Sequence, residues 1–236
     1  MILNLTNRFI LLIDVETAND TVDSFTYDIG FILMDIFGNI YETGSFVIRD
    51  IFVYERELVK QAYYGEKIPE YVQDIQNGDR KMIDFLDAWK YIRNLMKRYN
   101  CTTVAAYNCN FDRNALNKTL RFITKSKYRY FFPHNTEFIC IWNMACNSIC
   151  QSGEYKSFAE LYRLYSNHGK NSRATAETVH AFLTNDPSFT EEHKGFDDVM
   201  IERNIFLNCL KYNGNVMGIK RNCWQAVRRG ALIALR

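Results

Sequence analysis

The stretch Arg8-Phe9-Ile10-Leu11-Leu12-Ile13-Asp14-Val15-Glu16-Thr17 decides how this chain folds. Five apolar residues run unbroken from Phe9 to Ile13, the pattern of a strand covered on both faces. Two carboxylates follow, one residue apart. The two-residue period of a strand puts Asp14 and Glu16 on one side, with Thr17 beside them. Acids converging at the end of a hydrophobic strand repel each other unless a cation sits between them. A strand ending in solvated charges is the competing explanation, and an isolated Asp-x-Glu does not separate the two.

Outward from this strand, 27–35 and 40–48 read as two further strands joined through Gly38-Asn39, an antiparallel hairpin. Residues 53–77 are helical and irregular, punctuated by Gly65, Pro69 and then Gly78. Met82, Phe85, Leu86, Trp89, Ile92, Leu95 and Met96 recur at helical spacing and predict a long amphipathic helix ending near Asn100. Residues 102–107 predict a fourth strand, followed by a helix carrying Leu116, Leu120 and Ile123. A fifth strand is expected over 138–142, then helices over 158–165, 175–183 and about 191–211. An antiparallel start followed by strands alternating with helices predicts an α/β fold with a mixed sheet.

The 236 residues, 47% hydrophobic and 15% aromatic, can fill a sizeable core, and only 11 Gly and 3 Pro argue against a disordered or linker-rich chain. No internal repeat divides the sequence, so one domain over 1–211 and a basic tail over 212–236 are expected. The tail has no Asp or Glu but holds Lys220, Arg221, Arg228, Arg229 and Arg236. Its +5, set against +2 for the whole chain, leaves −3 on the body. An acidic body with a basic tail suits a protein that holds cations on carboxylates and meets a polyanion. The seven Cys form no CxxC pair, so reduced thiols in the cytoplasm are expected rather than disulfides or a zinc site. Residues 1–8 lack the pattern of a signal peptide, and no stretch approaches the roughly 20 apolar residues of a membrane span. No membrane partner is expected.

Two further constellations carry potential chemistry. In Asn108-Cys109-Asn110-Phe111-Asp112, the acid sits where the fourth strand gives way to a helix, at the strand ends where α/β sheets place their sites. An Asp there can equally be a plain helix cap. In Glu192-His193-Lys194-Gly195-Phe196-Asp197-Asp198, a His precedes an acid by five residues at a helix start, so loop and first turn can aim both at one point. Of the four His, His180 falls mid-helix, and His134 and His168 fall in loops without acidic neighbours. His193 alone has acids on both sides, and Glu191 and Glu192 are either its partners or only a charged helix entry.

Taken in order, Asp-x-Glu-Thr at 14–17, Asn-x-x-Phe-Asp at 108–112 and His-x-x-x-x-Asp at 193–198 resemble the three motifs of the DEDDh family of 3′–5′ exonucleases. That family includes proofreading subunits of bacterial replicative polymerases, ribonuclease T and oligoribonuclease-like enzymes. Each motif is weak alone; the ordered set, over residues 8–211, is specific. The resemblance implies a ribonuclease H-like α/β domain, with three antiparallel strands, then parallel ones, flanked by helices. It implies two Mg²⁺ or Mn²⁺ ions, with Asp14 bridging them, Glu16 and Asp198 on the first and Asp112 serving the second. The family's four-residue gap selects Asp198 over Asp197. His193 would be the general base. Thr17 and Ala18, with Asn108 and Phe111, would contact the terminal nucleotide.

The activity implied is hydrolysis of nucleic acid from a free 3′ end to 5′-mononucleotides, with single-stranded DNA ends ranked ahead of RNA. An exoribonuclease of the same family, or a non-catalytic nucleic-acid-binding or regulatory module, are the alternatives. A homodimer and a polymerase or repair partner stay open. Arg113, Lys118, Arg121, Lys125, Lys127 and Arg129, interleaved with Phe122, Tyr128, Tyr130, Phe131 and Phe132, suit a single strand, or else form a solvated helix face beside a core strand. Residues 53–78 look like an addition to a minimal exonuclease, either a gate over the site or a plain excursion.

Overall fold

Leu11 and Ile13 pack into one hydrophobic core and Ile10 and Leu12 into another, so the first strand is a wall between two cores. The computed structural model describes residues 9–18, 24–166, 169 and 171–213. His168 and the basic tail beyond 213 lie outside these. The chain runs β1 (Phe9–Ala18), β2 (Phe25–Asp35), β3 (Ile40–Ile48), the short helices α1 (Arg49–Phe52) and α2 (Arg56–Val59), and a 3-10 turn (Gly65–Lys67). It continues through α3 (Ile68–Asn77), β4 (Lys81–Ile83), α4 (Phe85–Arg98), β5 (Thr103–Ala106), α5 (Cys109–Thr124) and β6 (Glu137–Cys140). Then come α6 (Ile141–Asn147), α7 (Gly153–Leu161), α8 (Ala176–Thr184) and α9 (Gly195–Asn213).

Among the described residues the sheet has six strands in the order β4-β3-β2-β1-β5-β6. β1, β2 and β3 are antiparallel, and β5 and β6 join parallel to β1. The expected mixed α/β sheet with its antiparallel start is present. One core lies between the sheet and α4 and α5, filled by Phe85, Ile92, Leu95, Leu116 and Leu120. The other lies under α6 to α9, where Ile139, Met144, Tyr155, Val179, Val199 and Phe206 pack.

Four boundaries differ from expectation, each for a local reason. Met82 belongs to β4, which pairs in parallel with residues 46–48; α4 starts only at Phe85, whose N–H is capped by the Asp50 carboxylate at 2.7 Å. The fifth strand stops at Cys140, and the helix α6 takes Ile141 and Trp142 as the Trp142 N–H bonds the Tyr107 carbonyl at 2.9 Å. α7 begins at Gly153 because Ser152 caps it through Oγ to the Tyr155 N–H, and it ends at Leu161, just before Arg163 adopts a left-handed φ of 55°. α9 begins at Gly195 rather than 191, because His193 is itself left-handed, with φ 53°.

Candidate active site

Along β1, side chains alternate faces, so Asp14 and Glu16 continue the side of Ile10 and Leu12, toward α9. β1 carries a register shift between Glu16 and Thr17, which bends the strand just beyond its acids. Asp112 lies in the first turn of α5 and Asp198 in the first turn of α9. Three elements therefore deliver carboxylates to one cleft of about 850 Å³, where Asp14, Glu16, Asp112, His193 and Asp198 all line the wall. One ligand atom each from Glu16, His193 and Asp198 lie within 4.8 Å of one another. Asn108 and Phe111 also line this cleft. Thr17 and Ala18 do not, and the Ala18 side chain is fully buried in the core, so the contact expected there is one for the backbone to make. Asp197 turns aside to accept from Arg80 Nη2 at 3.3 Å.

The close approach of α9 to the sheet depends on two glycines and one buried acid. A Cβ on Gly30 would lie 2.1 Å from the Gly195 carbonyl carbon, so β2 and the start of α9 meet backbone to backbone. Asp28, fully buried, accepts from the Gly195 N–H at 3.0 Å, the Tyr71 hydroxyl at 2.7 Å and Arg80 Nη1 at 3.0 Å. Arg80 also binds Asp74, and Lys194 reaches Glu70 and Asp74 at 3.1 Å each. These pairs tie residues 70–80 to 194–198 and fix the turn that presents His193 and Asp198. The His193 ring stacks on Tyr64, with centroids 3.5 Å apart and planes 10° from parallel. Residues 53–78 thus reach the site through Tyr63 and Tyr64 in the cleft wall.

Electrostatics express the crowding. Burial, then the neighbouring acids, raise Asp14 and Glu16 well above the ordinary carboxylate range. Asp112 is pushed up to about 7 by burial, against bonds from its own and the Val15 N–H. Asp198 rises to about 7 by burial, with Asp197 and Asp28 adding to it. Burial lowers His193 from its usual 6.5, favouring the neutral ring.

The fold has relatives among solved structures. Escherichia coli exonuclease I in complex with a dT13 oligonucleotide superposes with a TM-score of 0.54 at 12% identity, covering 88% of this chain and 42% of that one. The same enzyme with a dA16 oligonucleotide gives 0.53, at 12% identity, over 88% and 41%. The fold is that of exonuclease I. It is ribonuclease H-like, as the motifs led one to expect, and this chain spans about two-fifths of the exonuclease I chain. No protein-family model matches, and no curated protein matches by sequence.

Within this exonuclease I fold, the cleft has features of a cation site. Asp14 Oδ2, Asp198 Oδ1 and Glu202 Oε2 are buried without a hydrogen-bond partner among the described residues. Buried carboxylate oxygens left bare are costly, and hard divalent cations such as Mg²⁺ and Mn²⁺ are their natural complement. The residues present fit such ions.

Several cleft residues escaped the sequence reading. Glu191, which the sequence left between a partner of His193 and a helix entry, lines the wall and is pushed up to about 8 by burial, while Glu192 stays outside near Lys67. Glu177, from α8, joins Glu191 and His193 with ligand atoms within 4.8 Å. Glu202 stands one helical turn after Asp198, an i, i+4 spacing that was visible in the sequence. Tyr64 and Asp28 gave no local signal.

Proposed function

We propose that this chain is a metal-dependent 3′–5′ exonuclease that removes 5′-mononucleotides from the 3′ end of a single strand, DNA first. The observation that carries the reading is the convergence of Asp14, Glu16, Asp112, His193 and Asp198, from β1, α5, α9 and the loop before α9, in one cleft with bare carboxylate oxygens. The exonuclease I fold supports it.

Asp14, Glu16, Asp112 and Asp198 would hold two divalent ions, Mg²⁺ or Mn²⁺, which when bound polarise the scissile phosphate and lower the pKa of the attacking water. His193, kept neutral by burial, accepts the proton of that water as it attacks phosphorus. The bond to the 3′ oxygen of the preceding nucleotide breaks, and the terminal nucleotide leaves with its 5′-phosphate. Tyr64 holds the imidazole plane against rotation by stacking on it. Asn108 and Phe111 stand at the junction with a second cleft of about 780 Å³ lined by Arg113, Lys118, Arg121 and Tyr130. Arg113 lies over the Phe138 ring at 5.2 Å and Arg121 over Tyr130 at 4.9 Å, so the guanidinium groups are held in place beside the acidic cleft. That arrangement suits the phosphates of the strand leading away from the scissile bond.

An oligonucleotide labelled in its terminal 3′ nucleotide tests the reaction. Release of labelled 5′-mononucleotide in Mg²⁺ and none in chelator is the expected result. A labelled free nucleoside, or release in chelator, contradicts it.

A further inference from the structure

We propose that Glu202 is a fifth carboxylate of the metal centre. This rests on the exonuclease reading and adds a residue that the three motifs do not contain.

Glu202 sits in the middle of α9, only 3% exposed, where a helix facing a sheet normally presents an apolar side chain. Its neighbours on the same helix, Val199, Ile205 and Phe206, are core residues. Yet Glu202 lines the same cleft as Asp14 and Asp112. Its Oε1 accepts the Tyr107 N–H at 2.9 Å, at the very end of β5, which fixes the carboxylate in position. Its Oε2 has less than 1 Å² of accessible surface and no partner among the described residues. A buried carboxylate held by one oxygen and bare at the other is incomplete in either protonation state: the anion lacks a counter-charge, and the acid lacks an acceptor for its proton. A divalent cation in this cleft, where Asp14, Asp112 and Asp198 also stand, would satisfy Oε2 and supply the missing counter-charge.

Glu202 stands on the same helix face as Asp198, one turn away, so α9 would bring two of its side chains to the centre.

The test is Mn²⁺ binding to the full chain, without nucleic acid, followed by calorimetry and by the electron paramagnetic resonance of free Mn²⁺, with Glu202→Gln beside the wild type. Gln keeps the acceptor for the Tyr107 N–H and has the shape of a protonated Glu. The expected result is that the variant binds one ion as the wild type does and holds the second roughly ten- to a hundredfold more weakly. In chelator the variant should melt at or above the wild-type temperature, since a buried charge has been removed, and should gain less from added Mn²⁺. Identical Mn²⁺ isotherms would show that Glu202 stays protonated or purely structural, and overturn the proposal. A variant that melts far lower in chelator would overturn it as well, because Glu202 would then be a structural hydrogen-bonding residue. Failure of the wild type itself to bind Mn²⁺ would instead count against the exonuclease reading on which the proposal rests.

Discussion

At the scale of single residues, the site is a set of carboxylates that folding forces together against their charge. Asp112 and Asp198 both reach about 7, and Asp14 and Glu16 are raised as well, against about 3.9–4.3 for free Asp and Glu. A folded-state pKa above the unfolded one means that protonation favours the fold. That contribution is fully present below about pH 4 and is lost as pH rises through about 7. In chelator, the melting temperature should therefore fall between about pH 4 and 7, and saturating Mg²⁺ should flatten that decline. An equal decline with and without Mg²⁺ would mean that the ions do not sit among these acids. His193 makes a separate prediction. His193→Ala should lower turnover by about 10²–10⁴-fold while the Mg²⁺ isotherm stays near wild type. Loss of Mg²⁺ binding instead would make His193 a ligand rather than the base.

At the scale of elements, the site depends on how closely α9 can approach the sheet. Gly30→Ala places a methyl group on the Gly195 backbone, which no side-chain motion can relieve. It should destabilise the protein by roughly 1–3 kcal/mol and reduce activity further than stability alone explains, because His193 and Asp198 move with α9. A Gly30→Ala protein with wild-type melting and turnover would show that this contact is dispensable. The strap over 53–80 acts through Tyr64. Removing its ring in Tyr64→Ala takes away a stacking contact of about 0.5–1.5 kcal/mol, and should lower kcat by up to about tenfold with KM little changed and Tyr64→Phe restoring it. Equal losses in Tyr64→Phe and Tyr64→Ala would point to the hydroxyl rather than the stack. The sequence showed β1, the hairpin and α5 well, because each has a clean period or turn. It gave β4 away to a helix, since Lys81, Met82 and Ile83 form an edge strand only through pairing with residues 46–48. The strap was visible as an addition, but its aim was not, because the Asp28, Arg80 and Lys194 pairs join residues far apart in sequence.

At the scale of the molecule, β1 sits between the antiparallel and parallel halves of the sheet, and both halves bring something to its end. The parallel half delivers Asn108 from the loop after β5 and Asp112 from the first turn of α5; the antiparallel half supplies Gly30 and Asp28, on which α9 rests. The basic cleft beside α5 and the acidic cleft under α9 share Asn108 and Phe111, so a strand can pass from one to the other without leaving the surface. The central claim is that this joined surface shortens a strand from its 3′ end by means of cations held on Asp14 and its neighbours. The most direct measurement is a time course on 5′-labelled single-stranded DNA and on RNA of the same sequence, in Mg²⁺ and in chelator, with Asp14→Ala run beside the wild type. The account predicts a ladder shortening one nucleotide at a time in Mg²⁺, faster on DNA, and absent both in chelator and in a folded Asp14→Ala protein. Intact strands with the wild type, or the same ladder with Asp14→Ala, would contradict it.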